Sequence, residues 1–492
     1  MKKMNLLVMS LVSAAALSFT SCSSNDDLAG DAGQEKVDGF YMTLTVQTPN
    51  ASGTRTSVLD PTENATAGEA AIKKGTLYLV DANGKIAFHE DLSGLDWSGD
   101  VKDDASKKKD GQKTFNIEVK NVEAGQKYHV YFLAGSNKPA GDMNFAATNK
   151  NVFTATSKFA DPFANDDNFA MFNQNDAQIN GNGYSVEFIK ANNNEQNPAK
   201  VTYTSADENT VQKGAAIKVE RVVARIDAPT STSAISTDDP AGASEALKVA
   251  LKDAREKVAS FELTNYAISN LANKSYVMQT WNSSALVIPS DKDDFSYYQP
   301  KAAFGGDYDY KNGGFTTTAT KVNYVFENYS TENPTSMYFE YKVTLKDYSG
   351  ADFTDGTFYR YNNVIYTSLD QIFNDYTGVA GLFNGKDKAT MKTELSNAIN
   401  DETKLAKFRE DYKIEVFKAG KTYYKQVIKD NNIGYANAIQ RNSIYRLKVN
   451  NIFNVGAQVP NGKPTEENKF YYLNVTVTVN PWVLNEDNVN LQ

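Results

Sequence analysis

The sequence predicts a mostly β fold with a few small helices. Apolar and polar residues alternate with a period of two, and Gly, Asn, Asp and Pro interrupt the alternation at regular intervals. This is the pattern of antiparallel strands that bury one face. Hydrophobic residues make up 41% of the chain and aromatic residues 12%, which is enough apolar surface for packed cores.

The strands can be placed by their alternation. A hairpin turn with positive φ at Asn83 and Gly84 is predicted between the first two. The clearest strands are predicted at Lys73–Val80, Lys85–Glu90, Thr114–Lys120, Lys127–Leu133, Ile217–Asp227, Phe261–Ile268, Tyr338–Leu345, Phe358–Thr367, Thr422–Ile428, Ile444–Ile452 and Tyr471–Val479.

Helical periodicity occurs in two places, which we interpret as small insertions on the β scaffold. Ser244–Val258 places Leu247 and Leu251 on one face, with Ser244 as the N-cap. Asp387–Ile399 carries a second apolar stripe that continues loosely toward Phe408. The Asn-, Asp- and Gly-rich stretches Asn149–Asn182 and Asn192–Asn209 are predicted to be long surface loops.

The length of 492 residues favours two folded domains, since domains usually hold roughly 100–200 residues. The second polar stretch marks the boundary. We predict one domain over residues 56–212 and another over 213–492, the second opening on the strand at Ile217. No short internal repeat is present, which argues against a solenoid or a propeller.

The first 22 residues have the features of an export signal. Lys2 and Lys3 form a basic start, Leu6–Leu17 is apolar, and Phe19-Thr20-Ser21-Cys22 is a cleavage site of mostly small residues. Cys22 lies where a bacterial lipobox places its lipidated cysteine, and a polar, acidic tether follows it. Lipid at Cys22 would anchor the chain to a membrane without a spanning helix. The alternative is plain secretory cleavage near Ser21.

Several function classes are disfavoured. A net charge of -9 and a pI near 5.1 argue against nucleic-acid binding, which needs concentrated positive charge. A single cysteine excludes an internal disulfide. No hydrolase, phosphate-loop or dinucleotide motif is present, and His89 and His129 are interpreted as ordinary sheet residues. The acidic run at residues 165–168 is interpreted as a solvated loop, since it lacks EF-hand spacing, with a calcium contact as the alternative. We expect no enzyme, no cofactor and no metal.

One clean amphipathic strand lies before the first core strand. Gly39–Gln47 places Phe40, Met42, Leu44 and Val46 on one face. A loop rich in small polar residues follows and holds Arg55, the only arginine before Arg221. Exposed loops of this kind are where proteases cut. The sequence therefore predicts a cleavage site for an arginine-specific protease at the Arg55-Thr56 bond, with an ordinary surface arginine as the alternative.

The other unusual strand begins at Tyr471, near the C-terminus. Leu473, Val475, Val477 and Val479 face one way, and Asn and Thr alternate with them. It is either the last strand of the second domain or a strand donated to another subunit. If cleavage removed the strand before Arg55, the open sheet edge would be a template for such a donor. Donor and groove are different surfaces, so the contact would be head-to-tail and would build a filament.

Short motifs in the same order along nearly the whole chain resemble the fimbrillins, or type V pilins, of anaerobic Gram-negative bacteria, most closely their short-fimbria major subunits. The matching pieces are Phe19-Thr20-Ser21-Cys22, Tyr41-Met42-Thr43-Leu44 leading to Arg55, Val219-Glu220-Arg221-Val222-Val223-Ala224-Arg225, Ile439-Gln440-Arg441-Asn442-Ser443-Ile444-Tyr445, and Val475-Thr476-Val477-Thr478-Val479-Asn480-Pro481-Trp482. Residues 50–215 and 285–435 match only in character.

The resemblance implies two tandem transthyretin-like, that is Ig-like, β-sandwich domains. It also implies a lipoprotein signal over residues 1–22 with lipid at Cys22, and a propeptide over residues 23–55 that an extracellular arginine-specific protease removes by cutting between Arg55 and Thr56. The partners would be identical or related pilin subunits, the protease, and the outer membrane through the lipid of the precursor. The removed strand would be Phe40, Met42, Leu44 and Val46, and the donor residues would be Leu473, Val475, Val477, Val479, Trp482 and Leu484.

The function that follows is a structural subunit of a cell-surface fimbria, polymerised by donor-strand exchange and supporting adhesion. An accessory or tip adhesin of the same family is one alternative. A surface glycan-binding lipoprotein, with Trp97 or Trp281 as an aromatic platform, is another.

Overall fold

The computed structural model describes the greater part of the chain from Gly39 to Val483. The described residues are 39–48, 63–97, 112–139, 142–146, 151–155, 160–175, 182–282, 285–289, 295–296, 316–317, 322–430, 438–460 and 473–483.

Strands make up 42% of the described residues and helices 17%, which confirms the predicted mostly β fold class. The first group of strands is β1 (Phe40–Gln47), β2 (Glu63–Asn64), β3 (Gly75–Val80), β4 (Ile86–Asp91), β5 (Gln112–Val119), β6 (Lys127–Ala134), β7 (Val152–Thr154), β8 (Ala164–Asn165), β9 (Asn168–Phe169), β10 (Met171–Asn173), β11 (Tyr184–Glu187), β12 (Ala199–Lys200), β13 (Thr202–Thr204), β14 (Val211–Lys213) and β15 (Ile217–Arg221).

The second group follows Val222 and Val223. It consists of β16 (Ala224–Ile226), β17 (Thr230–Ser231), β18 (Val258–Ser269), β19 (Leu271–Ala272), β20 (Lys274–Tyr276), β21 (Thr280–Asn282), β22 (Ala285–Val287), β23 (Phe295–Ser296), β24 (Thr316–Thr317), β25 (Asn323–Val325), β26 (Ser336–Leu345), β27 (Phe358–Tyr361), β28 (Val364–Tyr366), β29 (Glu415–Phe417), β30 (Lys421–Val427), β31 (Ser443–Ile452) and β32 (Leu473–Val483). The helices are α1 (Ala67–Ala70), α2 (Glu245–Lys257), α3 (Leu369–Asp375), α4 (Lys388–Ala398) and α5 (Glu402–Tyr412).

Strands of the first group form one large sheet. Within the described residues its order is β12-β1-β15-β10-β6-β11-β13-β14, with β3 linking β6 to β4, and β5 paired with β1. The period-two pattern explains the strands: in β6, Tyr128 and Val130 are buried while Lys127 and His129 are exposed. His89 lies in β4, so both histidines are sheet residues.

Strands of the second group, joined by β2 of the first, form two sheets around a shared core. Among the described residues, one sheet has the order β2-β32-β31-β16-β25, with β17 beside β31, and the other has the order β24-β18-β26-β30. Leu447 and Val449 of β31 belong to the same buried cluster as Phe339 and Tyr341 of β26. Two sheets packed face to face about one core form a β-sandwich.

Helices α2 and α4 lie where the periodicity predicted them, whereas α1 and α3 were not predicted. Ser244 caps α2, and its side chain accepts a hydrogen bond from the Leu247 N–H at 3.2 Å. Asp387 caps α4 in the same way. Helices α3, α4 and α5 pack with β27, β28 and β29 around a separate buried cluster that includes Met391, Leu395 and Leu405. The second helical patch is therefore larger than predicted, because α5, which is capped by Asp401, continues it.

The predicted strand Ile217–Asp227 is wrong as a single element. It is divided into β15 and β16, which belong to different sheets. The backbone between them is used elsewhere: the Val222 N–H donates to the Ala170 carbonyl at 3.0 Å, and the Val223 carbonyl accepts from the Asn442 N–H at 2.9 Å. Two pairings, of β7 with β20 and of β2 with β32, cross this division. The assignment of domains to residues 56–212 and 213–492 stays a prediction.

Other sequence predictions also need correction. Phe358–Thr367 is a hairpin, because Asn362 and Asn363 both have positive φ and form its turn. Within Asn149–Asn182, β10 is a fully buried central strand of the large sheet and not part of a surface loop. At the first predicted turn, Gly84 has a φ of 80° as predicted, whereas Asn83 does not have a positive φ.

A buried ionic cluster lies where β15 meets the sandwich. Arg441, just before β31, pairs with Glu327 at 2.8 Å and donates to the backbone carbonyls of Val277 and Tyr276. Glu220 of β15 lies 3.9 Å from Arg441, and its Oε1 accepts no hydrogen bond from the described residues. Complete burial raises the pKa of Glu220 to about 8, with Arg441 opposing the shift and Glu327 adding to it.

This pKa predicts a pH-dependent stability. Because its pKa is higher in the folded state, protonated Glu220 favours folding. This contribution to the free energy of unfolding is fully present below the unfolded-state pKa near 4.5 and is lost as the pH rises toward 8. Glu220→Gln should remove this loss, so the variant should gain on the order of a few kcal/mol relative to the wild type between pH 5 and pH 8. Denaturant unfolding at several pH values measures the gain.

The matched control is Asp411→Asn, which removes an exposed partner of Lys407. It should leave the pH dependence unchanged, because exposed helix pairs contribute little. A difference between Glu220→Gln and the wild type that stays constant with pH would contradict the assignment.

Candidate assembly site

Strand β1 lies inside the large sheet with neighbours on both sides. It pairs antiparallel with β5 over its whole length, from Phe40 opposite Val119 to Gln47 opposite Gln112. On its other side it pairs in parallel with β12 at Met42 and Thr43, and with β15 at Val46 and Gln47. A strand that precedes the first core hairpin in sequence is therefore central in the sheet.

The apolar face of β1 is completely buried. Phe40, Met42, Leu44 and Val46 are only 0–5% exposed, and the Phe40 ring lies 5.4 Å from that of Phe188. The expectation that this amphipathic strand pairs with a sheet is confirmed. Burial of apolar side chains of this size is worth roughly 1.5–3 kcal/mol each.

The outward face of β1 forms a polar ladder with β5. The Thr43 hydroxyl donates to Asn116 Oδ1 at 3.1 Å, and the hydroxyls of Thr45 and Thr114 are 3.0 Å apart. At the end of the strand, Gln112 Nε2 donates to Gln47 Oε1 at 3.4 Å. Cross-strand pairs of this kind add modestly to stability and help to set register.

Strand β5 depends on β1. Within the described residues β5 and β12 pair with no strand other than β1, whereas β15 also pairs with β10. Removing β1 would leave the backbone groups of β5 unpaired and would expose the apolar floor beneath it. We call the space that β1 occupies the β1 slot.

A polar cleft lies at one end of the β1 slot. Gln47 and Gln112 line it together with Tyr184, Tyr203 and Lys218, and further lining residues are Gln174, Asn175, Gly183, Gln212, Gly214, Ala215 and Ala216. Loss of β1 would take Gln47 from its wall, so the cleft and the slot would become continuous.

The C-terminal strand β32 pairs within its own chain. It runs antiparallel to β31, from Leu473 opposite Ile452 to Pro481 opposite Ser443. Its inward residues Leu473, Val475 and Val477 are only half-buried at the margin of the sandwich core. In the single chain, β32 is thus the last described strand of the sandwich, which agrees with one of the two roles predicted for it.

The far end of β32 meets the segment that follows the predicted cleavage loop. Trp482 and Val483 pair in parallel with Glu63 and Asn64 of β2. A few residues later Glu69 is fixed in the interior: its carboxylate accepts hydrogen bonds from Arg225 at 3.1 Å and from the Tyr324 hydroxyl at 2.9 Å. The chain is therefore anchored again soon after residue 62.

Several predicted site residues lie outside the described residues. These are Cys22, Arg55, Thr56 and Leu484. The removable-strand residues and the donor residues up to Trp482 are described, but the structure does not bring them together: the first set lies in the large sheet and the second in the sandwich. Lipidation, cleavage and donation stay predictions.

The residues proposed for other functions occupy structural positions. Trp97 is buried against Phe115 and Phe132 and donates its indole N–H to the Leu92 carbonyl, so it cannot serve as a glycan platform. Trp281 is half-buried and donates to Gln279. Asp167, in the acidic run, pairs with Lys73 at 2.6 Å.

Neither a metal-binding cluster nor a membrane-spanning helix occurs in the described part of the chain. No cluster of three or more His, Cys, Asp or Glu side chains that could hold a metal ion occurs among them. None of the helices described has both the length and the apolar character needed to cross a membrane.

Sequence reasoning missed the dependence of β5 on β1 and the pairing of β2 with β32. The polar ladder was indicated by the sequence of β5, in which the polar residues Thr114 and Asn116 alternate with Phe115 and Ile117. The pairing of β2 had none, because two residues are too few for a period.

One family model matches the chain. Residues 415–488 match the C-terminal region of the fimbrillins, described as major fimbrial subunit protein type IV. The match covers β29, β30, β31 and β32, and it confirms the fimbrillin resemblance predicted from the motifs. No curated protein matches the chain.

Solved structures of similar proteins span nearly the whole chain at low identity. A protein assigned to cell adhesion from Parabacteroides distasonis is 16% identical, with 92% of this chain and 99% of that chain covered and a TM-score of 0.45. A fimbrilin from Porphyromonas gingivalis is also 16% identical, with 92% and 100% covered and a TM-score of 0.40. A fimbrial assembly protein from Parabacteroides distasonis is 11% identical, with 90% and 100% covered and a TM-score of 0.31.

The burial of β1 predicts a stability effect that exists only while β1 is attached. In precursor held uncut by Arg55→Ala, Leu44→Ala should lower the free energy of unfolding by about 2–5 kcal/mol, because Leu44 is fully buried. Thr45→Ala, on the outward face, should cost less than about 1 kcal/mol. Denaturant unfolding measures both.

The same substitutions should have no effect on subunits trimmed after Arg55, which lack both residues. Equal effects of Leu44→Ala and Thr45→Ala in the uncut precursor would contradict the role given to β1.

Proposed function

We propose, from the premise that this chain carries a fimbrillin C-terminal region at residues 415–488, that it is a structural subunit of a cell-surface fimbria. The subunit is exported as a lipoprotein precursor, is cut after Arg55, and polymerises head-to-tail by donor-strand exchange. One observation carries the proposal: β1 fills a central slot and is the strand partner on which β5 depends within the described residues. Its removal creates an open edge that another strand must close.

The first step is export and anchoring. The basic start, the apolar segment and Cys22 after small residues fit a lipidated precursor held at the outer membrane. The only cysteine precedes Arg55, so trimming removes the lipid together with the propeptide. The mature subunit is then free to leave the membrane and to join an extracellular fimbria that supports adhesion.

The second step is proteolysis. Arg55 follows β1 in a segment of small polar residues and is the only arginine before Arg221, so an extracellular arginine-specific protease has one early target. The rest of the fold survives the cut because β2 and Glu69 hold the chain on the downstream side. The product lacks β1, and the rest of the subunit stays folded.

The third step is exchange of β32 into a neighbour's slot. In its own chain β32 pairs with β31 at nine register positions and with β2 at two, and its residues Leu473, Val475 and Val477 are half-buried. In the slot a strand gains eight positions against β5 and two against each of β12 and β15. Its apolar face also becomes fully buried, which adds a share of the roughly 1.5–3 kcal/mol per side chain.

The balance favours exchange once the slot is empty, because a strand flanked on one side only by the two-residue strand β2 moves to the centre of the large sheet. Donor and slot are separate surfaces, so each subunit carries one of each and the contact does not close on itself. An intact donor strand favours a shaft subunit over a tip adhesin, since a tip has no neighbour to donate to.

Arg55→Ala tests the processing step. Limited digestion of wild-type precursor by an arginine-specific protease should give one early cut, followed by a ladder of oligomers on unboiled denaturing gels. Arg55→Ala should abolish both, because neither the cut nor the empty slot can form. Arg255→Ala is the matched control, since Arg255 is a partly exposed arginine of α2 and should leave both unchanged.

Oligomers formed by uncut Arg55→Ala, or a wild-type product that is cut and stays monomeric at high concentration, would contradict the proposal. A surface glycan-binding lipoprotein would show neither the single early cut nor the ladder.

A further inference from the structure

Strand β32 matches β1 in side-chain character at seven of eight consecutive positions, the exception being Tyr41 against Asn474. Phe40-Tyr41-Met42-Thr43-Leu44-Thr45-Val46-Gln47 corresponds to Leu473-Asn474-Val475-Thr476-Val477-Thr478-Val479-Asn480. Apolar residues coincide at four positions, threonine coincides at two, and an amide side chain ends both segments. The segments are far apart in sequence and lie in different sheets. Alternation is common to strands that bury one face, but it does not require threonine at the same two positions or an amide at the same end.

We infer, on the basis of the proposed function, that the neighbour's β32 enters the β1 slot in the direction and register of β1. Leu473 then takes the place of Phe40, and Asn480 takes the place of Gln47. The partner is a second copy of this chain, and the recognition surface is the outward face of β5.

The polar ladder of β5 supports this register. With Leu473 in place of Phe40, Thr476 lies opposite Asn116 and Thr478 lies opposite Thr114, which reproduces the pairs that Thr43 and Thr45 make in the precursor. Thr476 already pairs with an amide in its own sheet, where Asn450 Nδ2 donates to its hydroxyl at 2.7 Å. The donor therefore exchanges one hydroxyl–amide contact for another.

The apolar face alone cannot set the register. Val475, Val477 and Val479 follow one another on this face of β32, so a slip of two residues would still place apolar side chains at most positions of the slot. The ends of the segment prevent such a slip. A slip in one direction moves Pro481 to the position of Val46, which lies in the ladder with both β5 and β15, and proline has no N–H to donate.

A slip in the other direction brings Tyr471 to the position of Phe40. That position is only 5% exposed, and a tyrosine hydroxyl there would lose its hydration. The direction of the donor strand is set by the size of the side chain at the position of Phe40. A reversed strand would place Val479 where Phe40 packs against Phe188, and it would leave part of that space unfilled. The larger Leu473 fills more of it.

Engineered disulfides test the register directly. Trimmed subunits contain no cysteine, because Cys22 precedes Arg55. The variant T114C/T478C should form a disulfide between neighbouring subunits, with about tenfold or more cross-linked product than the control variants, since disulfides need a narrow Cβ separation. The readout is a covalent ladder that survives boiling without reductant.

Three control variants share T114C and report the other arrangements. T114C/T476C and T114C/N480C report slips of two residues in either direction, and T114C/N474C reports a reversed strand. A separate variant, T45C/T114C in precursor held uncut by Arg55→Ala, checks that the site accepts a disulfide, because the two hydroxyls are 3.0 Å apart. It should oxidise within one chain.

The outcomes separate the inference from the proposed function. Preferential cross-linking of T114C/T478C supports the register. An unboiled ladder with cross-linking in another variant, or in none while T45C/T114C oxidises, overturns the register and leaves donor-strand exchange standing. Absence of an unboiled ladder in the trimmed wild type overturns the proposed function itself.

Discussion

The structure depends on β1 because β5 pairs with no other strand among the described residues. Eight residues near the beginning of the chain complete a sheet whose other strands come from much later in the sequence, up to Arg221. An unpaired strand edge with an apolar floor is unstable in water and invites pairing with another chain. A sheet completed by a segment next to a candidate cleavage loop can therefore be opened by a single cut.

The anchoring of the chain after residue 62 makes such a cut selective. Glu69 is held by Arg225 and Tyr324, and the Arg221 guanidinium donates to the Glu69 carbonyl at 2.9 Å. These contacts tie α1 to the junction between the large sheet and the sandwich, where the Arg441 cluster also lies. Buried charges with several partners are costly to separate. The body should stay folded while β1 leaves.

The sequence predicted those features that depend on local patterns. Alternation located β1, β6, β26 and β31, the capping residue Ser244 located the start of α2, and helical periodicity located α4. It failed where partners distant in sequence decide the outcome. Val222 and Val223 are residue types that favour strands, but their backbone groups form hydrogen bonds with Ala170 and Asn442. Met171–Asn173 lies in a polar stretch and is nevertheless a central strand, because β6 and β15 flank it.

The candidate site was predictable to the same extent. The apolar face of β1 and the matching face of β32 follow from their alternation, whereas the dependence of β5 on β1 is a property of the sheet topology. Which strand of a sheet lacks a second neighbour cannot be read from a period of two. The outward ladder of Thr114 and Asn116 becomes interpretable only once register is known.

Hydrogen exchange of the backbone amides of residues 112–119 tests the central claim most directly. The account predicts protection in the uncut precursor, loss of protection in dilute trimmed monomer, and renewed protection in the polymer, because β5 is paired by β1, then by nothing, then by a neighbour's strand. Amides that stay protected in the trimmed monomer, or that stay unprotected in the polymer, would contradict it.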